Sequence, residues 1–188
     1  GVGGANYGTD GQVLTSTGAG TAPAWEDSSG VAGKVEGTNF TDSLLVGHST
    51  TGTLSSAVKN TGVGIDALDA LTQGDDNTAV GYNAGSAITT GDNNTVIGRD
   101  AGSLMATVDQ NTAVGKSALY RTAAADNTGI GYYAGLSNSS GTFNVSLGSQ
   151  ALKGVTSNNH SYNTAIGGKS NFAVTTGGYN TTLGYQSG

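Results

Sequence analysis

Branched aliphatic residues recur along this chain at a near-constant interval, at Val46, Val63, Val80, Ile97, Val114, Ile130, Leu147, Ile166 and Leu183. A glycine follows each of them, from Gly47 to Gly184. Threonine stands two residues ahead of most of them, at Thr61, Thr78, Thr95, Thr112, Thr128, Thr164 and Thr181. An asparagine opens most copies, at Asn60, Asn77, Asn94, Asn111, Asn127, Asn144, Asn163 and Asn180, with steps of 17, 17, 17, 16, 17, 19 and 17 residues. Ser43 opens one degenerate copy upstream, "SLLVG", which makes nine starts in register. Self-similarity at a near-fixed period marks a repeat architecture.

Numbered from the Asn, each unit has Thr at position 2, the aliphatic at position 4 and Gly at position 5. Side chains alternate along a strand, so positions 2 and 4 share one face. Thr, Val and Ile suit strands, and the glycine lets the backbone turn closely. The recurrent aliphatic predicts that this face points into the core, carrying Thr inward with it. Position 8 is small, at Ala67, Ala84, Ala101, Ala118, Ala134 and Ala151. A second apolar residue recurs around position 12, at Leu54, Leu71, Ile88, Met105, Val155 and Val174. Turn formers fill the gaps. Each unit therefore reads as a strand, a tight corner, a second short strand and a polar return.

The predicted fold is all-β, a parallel β-solenoid or β-roll of about nine coils with a 17-residue repeat. Stacking at ~4.8 Å per coil gives a rod on the order of 40 Å long. Residues 43–188 form the repeat domain, 31–42 a connector, and 1–30 an irregular Gly-rich segment. One aliphatic, one Thr and one Ala per coil make a thin core. Packing three rolls together buries more apolar surface, and symmetric homo-oligomers are the default, so a homotrimer is expected.

Composition sharpens this picture. Leu, Ile, Val and Phe number 34 of 188 residues, too few for a single globular core, while glycine reaches 33. Such a composition points to disorder only when net charge is also high. Here it is −6, and the regular repeat outweighs it. With no cysteine there is no disulfide framework or thiolate metal site. No apolar run approaches the ~20 residues of a membrane helix, so no membrane insertion is expected. No signal peptide is visible at the start, and the chain begins at Gly1 without a Met, as a processed product or a fragment would. The seven Lys and Arg residues are scattered along the sequence. A nucleic-acid footprint needs a basic cluster, so no nucleic-acid partner is expected.

"NTAVGYNAG" at 77–85 and "NTVIGRDAG" at 94–102 resemble the repeats of phage tail fibres and related surface-fibre proteins. They are also similar to the "SVAIG"-type repeats of trimeric autotransporter adhesin heads, which implies a left-handed parallel roll in a homotrimer. "GTDGQVLTSTGAGTAPAWE" at 8–26 is similar to a segment of phage fibres that marks a trimeric junction, with Pro23 and Trp25 near its end. These repeats are longer than is usual in adhesin heads, and residues 1–188 include no chaperone or knob domain of the kind such fibres often carry. The resemblance implies a structural fibre segment of a tail fibre or similar appendage, located on a virion or an extracellular surface. Its partners would be itself, other fibre or tail proteins, and a glycan or envelope component of the host surface. A bacterial surface adhesin or extracellular filament subunit is the alternative.

Candidate chemistry is sparse. His48 and His160 lie far apart without a Ser or Cys elbow. The glycines of "GVG" at 62–64 and "GIG" at 129–131 belong to the repeat, because no helix follows. No cofactor and no enzymatic activity are expected. Asp75, Asp92, Asp109 and Asp126 recur one coil apart at position 16. The simpler reading is a solvated Asx turn in each coil, and the sharper one is a line of bound cations such as calcium, which takes oxygen ligands. Phe143, Tyr162 and Tyr179 precede three successive repeat Asn residues and are expected to stack. The 19-residue unit, two residues longer than the repeat, carries Asn158, Asn159 and His160 in a loop beside them. Stacked rings stabilise strands, yet a polar loop beside aromatic rings also suits a sugar. Stacked Asn side chains are expected to hydrogen-bond along the coils. A Thr array matching an ice lattice is a third reading, which an outward, flat Thr face would favour.

Overall fold

The computed structural model describes residues 12–15, 24–27, 33–37, 40–47, 54–155 and 159–188, the first three segments through their backbone alone. Contacts divide the chain into units 1–32 and 33–188. In the first, β1 (Gln12–Thr15) and β2 (Ala24–Asp27) pair antiparallel, with Leu14 opposite Trp25. The second begins with β3 (Gly33–Gly37) antiparallel to β4 (Phe40–Val46). The expected start of the repeat domain at residue 43 thus falls inside β4.

From β4 onward the chain winds as a β-solenoid of about eight turns. The two-residue β5 (Ala57–Val58) pairs with the start of β4. Then come β6 (Thr61–Val63), β7 (Thr78–Val80), β8 (Thr95–Ile97), β9 (Thr112–Val114), β10 (Thr128–Ile130), β11 (Val145–Leu147), β12 (Thr164–Ile166) and β13 (Thr181–Leu183). Each pairs in parallel with the next, position for position, so Thr78 lies beside Thr95 and Val80 beside Ile97. The one-residue-short coil and the long coil keep this register, because the ladder pairs Thr112 with Thr128 and Val145 with Thr164. The degenerate copy is a true coil, with Leu44 beside Thr61 and Val46 beside Val63.

The second strand expected near position 12 does not form among the described residues. That side of each coil runs through turns, which still bond coil to coil: Thr72 N donates to Thr89 O at 3.0 Å and Thr89 N to Ala106 O at 2.8 Å.

The facing of the strands is the reverse of the one expected. Position 3 points inward: Leu45, Ala79, Val96, Ala113, Ser146 and Ala165 are buried. The aliphatics of position 4 lie on the outer face, with Val80 37 % and Ile97 38 % exposed. Alternation then turns the Thr of position 2 outward as well. Position 1 points inward, and the Asn residues from Asn60 to Asn163 are buried. The core comprises position 3, the small Ala of position 8, Leu68, Leu119 and Leu152 at position 9, and Leu71, Ile88 and Met105 at position 12. Val155, which the pattern also places there, is exposed.

The glycine of position 5 is obligatory. Gly64 has φ +135°, and a Cβ there would lie 2.5 Å from the carbonyl oxygen of Gly81 in the next coil. A side chain would meet both a strained backbone and its stacked neighbour.

Candidate functional site

The Asn column is a continuous hydrogen-bonded spine. Asn94 shows the pattern. Its Nδ2 donates to Asn77 Oδ1 at 3.0 Å and to Val108 O at 2.7 Å. Its Oδ1 accepts from the backbone N–H of Asn111 at 3.0 Å and from Asn111 Nδ2 at 3.3 Å. The amide is thus fully satisfied, which is why a polar side chain occupies the core without penalty.

The Asp column is bound up in the same ladder. Asp75 Oδ1 accepts from Val58 N at 2.8 Å, Asp92 Oδ1 from Asp75 N at 2.7 Å, and Asp109 Oδ1 from Asp92 N at 2.8 Å. Asp126 stands out of this column. The short coil shifts it to the position just before its Asn, where it shares φ near +60° with Asp76 and Asn93. Among the described residues no group of three or more His, Cys, Asp or Glu is placed to hold a metal ion.

Phe143, Tyr162 and Tyr179 do stack, with centroids 5.3 and 4.8 Å apart and planes within 10° and 7° of parallel. The rings cover each other's faces and turn their edges outward. Tyr179, at the end of the stack, is 81 % exposed. Of the loop expected beside them, the described residues divide between surface and interior. Asn159 is exposed and Asn158 lies outside the described residues, while His160 is buried. His160 Nδ1 lies 3.4 Å from Asn144 Oδ1, and its backbone carbonyl accepts from Asn144 Nδ2 at 2.8 Å. Nε2 has no partner. Loss of water around the ring holds its pKa below the ordinary histidine value, a hydrogen bond at its own backbone acting the other way.

Two further surfaces were not legible along the chain. One is the outer strand face, a double column of Thr and aliphatic side chains. The other gathers basic residues that the sequence scatters. Arg99, Lys116, Arg121 and Lys153 line one open groove of about 430 Å³ with Tyr120, Tyr133, Leu136, Ser117 and Asp100. The expectation that no basic cluster exists is therefore corrected: stacking coils brings residues some 17 positions apart into contact. No helix among the described residues is long and apolar enough to cross a membrane.

These features define a β-solenoid repeat protein with an amide spine. No protein-family model, curated protein or solved structure matches the chain.

Proposed function

We propose that this chain is a structural segment of a phage tail fibre or similar surface appendage. It acts as a homotrimer, joins other fibre proteins and contributes to host-surface attachment. The observation that carries this reading is the outer strand face. From Thr61 to Leu183 positions 2 and 4 hold only Thr and aliphatic residues, with no charge. Strands about 10 Å wide stacked over about 40 Å give a flat face of roughly 400 Å². A contiguous uncharged patch of that size, half of it aliphatic, is often functional. An uncharged face repeating identically along the rod matches a second copy of itself, and three such faces close around one axis.

Sedimentation at micromolar concentration tests this. The expected species has three times the mass of the chain and an elongated shape. A stable monomer would overturn the reading.

The same face supports a second reading. The Thr residues of position 2, interrupted by Val145, face outward one per coil, an arrangement that suits an ice-binding surface. A trimer would cover them, so the two readings exclude each other. A monomer that arrests ice-crystal growth supports ice binding, and a trimer without that activity supports the fibre.

A further inference from the structure

We propose that the groove over the coils from Asn94 to Lys153 binds an anionic saccharide, one whose rings carry carboxylate or phosphate groups. This deepens the attachment reading and rests on it for its biological setting, while the binding itself is tested separately.

Charge is the first argument. The chain has a net charge of −6 and only seven Lys and Arg residues. Four of those seven line this groove, against a single carboxylate, Asp100. Asp100 is already engaged, accepting from Asn83 Nδ2 at 2.9 Å and pairing with Arg99 Nε at 3.2 Å. Lys116, Arg121 and Lys153 have no carboxylate partner among the described residues. A local excess of positive charge on an acidic rod draws an anion to this place.

The repeat itself is the second argument. The same corner in the earlier coils carries Ile65, Asp66 and Asp69, then Tyr82, Asn83 and Ser86. Basic side chains are therefore not needed to make the corner. Arg99, Lys116 and Lys153 stand at this corner within the groove, and Lys169 stands there in the coil beyond it.

The rings are the third. Tyr133 sits between two ammonium groups, with Lys116 Nζ 6.0 Å and Lys153 Nζ 5.8 Å from its ring centroid. Lys153 Nζ also lies 5.3 Å from the Phe172 ring, and Lys116 Nζ 5.7 Å from that of Tyr132. Cations held over ring faces are positioned rather than free. Tyr hydroxyls beside them suit the hydroxyls of a sugar, and ring and aliphatic surface suit its C–H face. The groove crosses four coils, roughly 14 Å at ~4.8 Å per step, room for a short oligosaccharide. A nucleic-acid duplex needs a longer basic stripe and would meet the acidic remainder of the rod.

Calorimetric titration of the assembled chain with trigalacturonate, glucose 6-phosphate, neutral maltotriose and a short DNA duplex tests the proposal. Trigalacturonate or the phosphate ester is expected to bind, and maltotriose to bind far more weakly. The anionic arm that binds more tightly identifies carboxylate or phosphate as the recognised group. Lys116→Ser with Lys153→Ser should weaken that binding about tenfold or more, while Lys116→Arg with Lys153→Arg largely retains it. Melting curves confirm that both variants fold. Equal binding of charged and neutral saccharides, no loss in the Ser variant, or tighter binding of the duplex than of any saccharide each overturns the proposal. Sedimentation of the same samples reports the fibre reading independently, so a trimer that binds no anion sinks only the groove.

Discussion

At the residue scale the fold depends on one side chain used repeatedly. Each Asn amide replaces backbone pairing at a corner where the chain turns away from the sheet. Asn94→Ala would leave the backbone N–H of Asn111 and the carbonyl of Val108 without partners inside the core. Unsatisfied buried groups cost about 1–3 kcal/mol each, so the variant should lose roughly 2–4 kcal/mol in urea denaturation. His160 makes a second prediction. In the unfolded chain its pKa is near ~6.5, and in the fold burial holds it lower. The unfolded state therefore binds the proton more readily. Stability is full above about pH 6.5 and declines as pH falls toward the depressed folded value. Melting temperatures across this range should fall for the wild type and stay flatter for His160→Asn. The spacing of the Asn residues was legible in the sequence, as was their ladder. Their burial was not, because the satisfaction of an amide depends on carbonyls supplied by the neighbouring coil.

At the element scale the three-residue strands interlock by volume. Gly129 in β10 faces Leu119, and a Cβ there would meet Leu119 Cγ at 2.8 Å. Val96 in β8 sits against Gly85 and Gly102, where a Cβ would meet its methyl groups at 3.0 and 2.7 Å. Large and small side chains thus alternate between position 3 and position 9, and overfilling is destabilising. Gly129→Val should cost about 1–3 kcal/mol and Leu119→Ala about 2–5 kcal/mol. The double variant is expected to lose less than the sum, since the valine refills the space the leucine leaves. Denaturation of all four proteins measures this coupling. A deficit equal to the sum would deny the contact. Strand positions were readable from the Thr-x-aliphatic alternation. The missing second strand was not, because apolar residues near position 12 serve a turn that buries them just as well.

At the scale of the whole molecule, the reversed facing changes what the aliphatics do. A charged residue at position 4 would be ruinous inside a core but is tolerable on an outer face. Ile97→Lys with Ile130→Lys should therefore leave the circular dichroism and monomer fold intact, and sedimentation should show the proposed trimer abolished. Unfolding of this variant would contradict the outward placement. The groove belongs to this scale as well. Its four cations come from three different repeats, the coils opened by Asn94, Asn111 and Asn144, and act together only because the winding stacks them within a four-coil stretch.

The repeat length, the parallel stacking and the obligatory glycines followed from the sequence alone, because a periodic chain presents the same local problem in every unit. Even the odd units kept register, since the Asn and Gly that fix the corners were still present. Which face of each strand is inside was decided only by the tertiary structure. A period of two is symmetric between faces, and the nine-fold recurrence of the aliphatic favoured the wrong one. The interior takes a large side chain at position 3 only where its neighbours are small, as Val96 sits between Gly85 and Gly102, so a branched aliphatic in every coil would overfill it. The basic groove and the burial of His160 were decided there too, because both depend on which residues the winding makes neighbours.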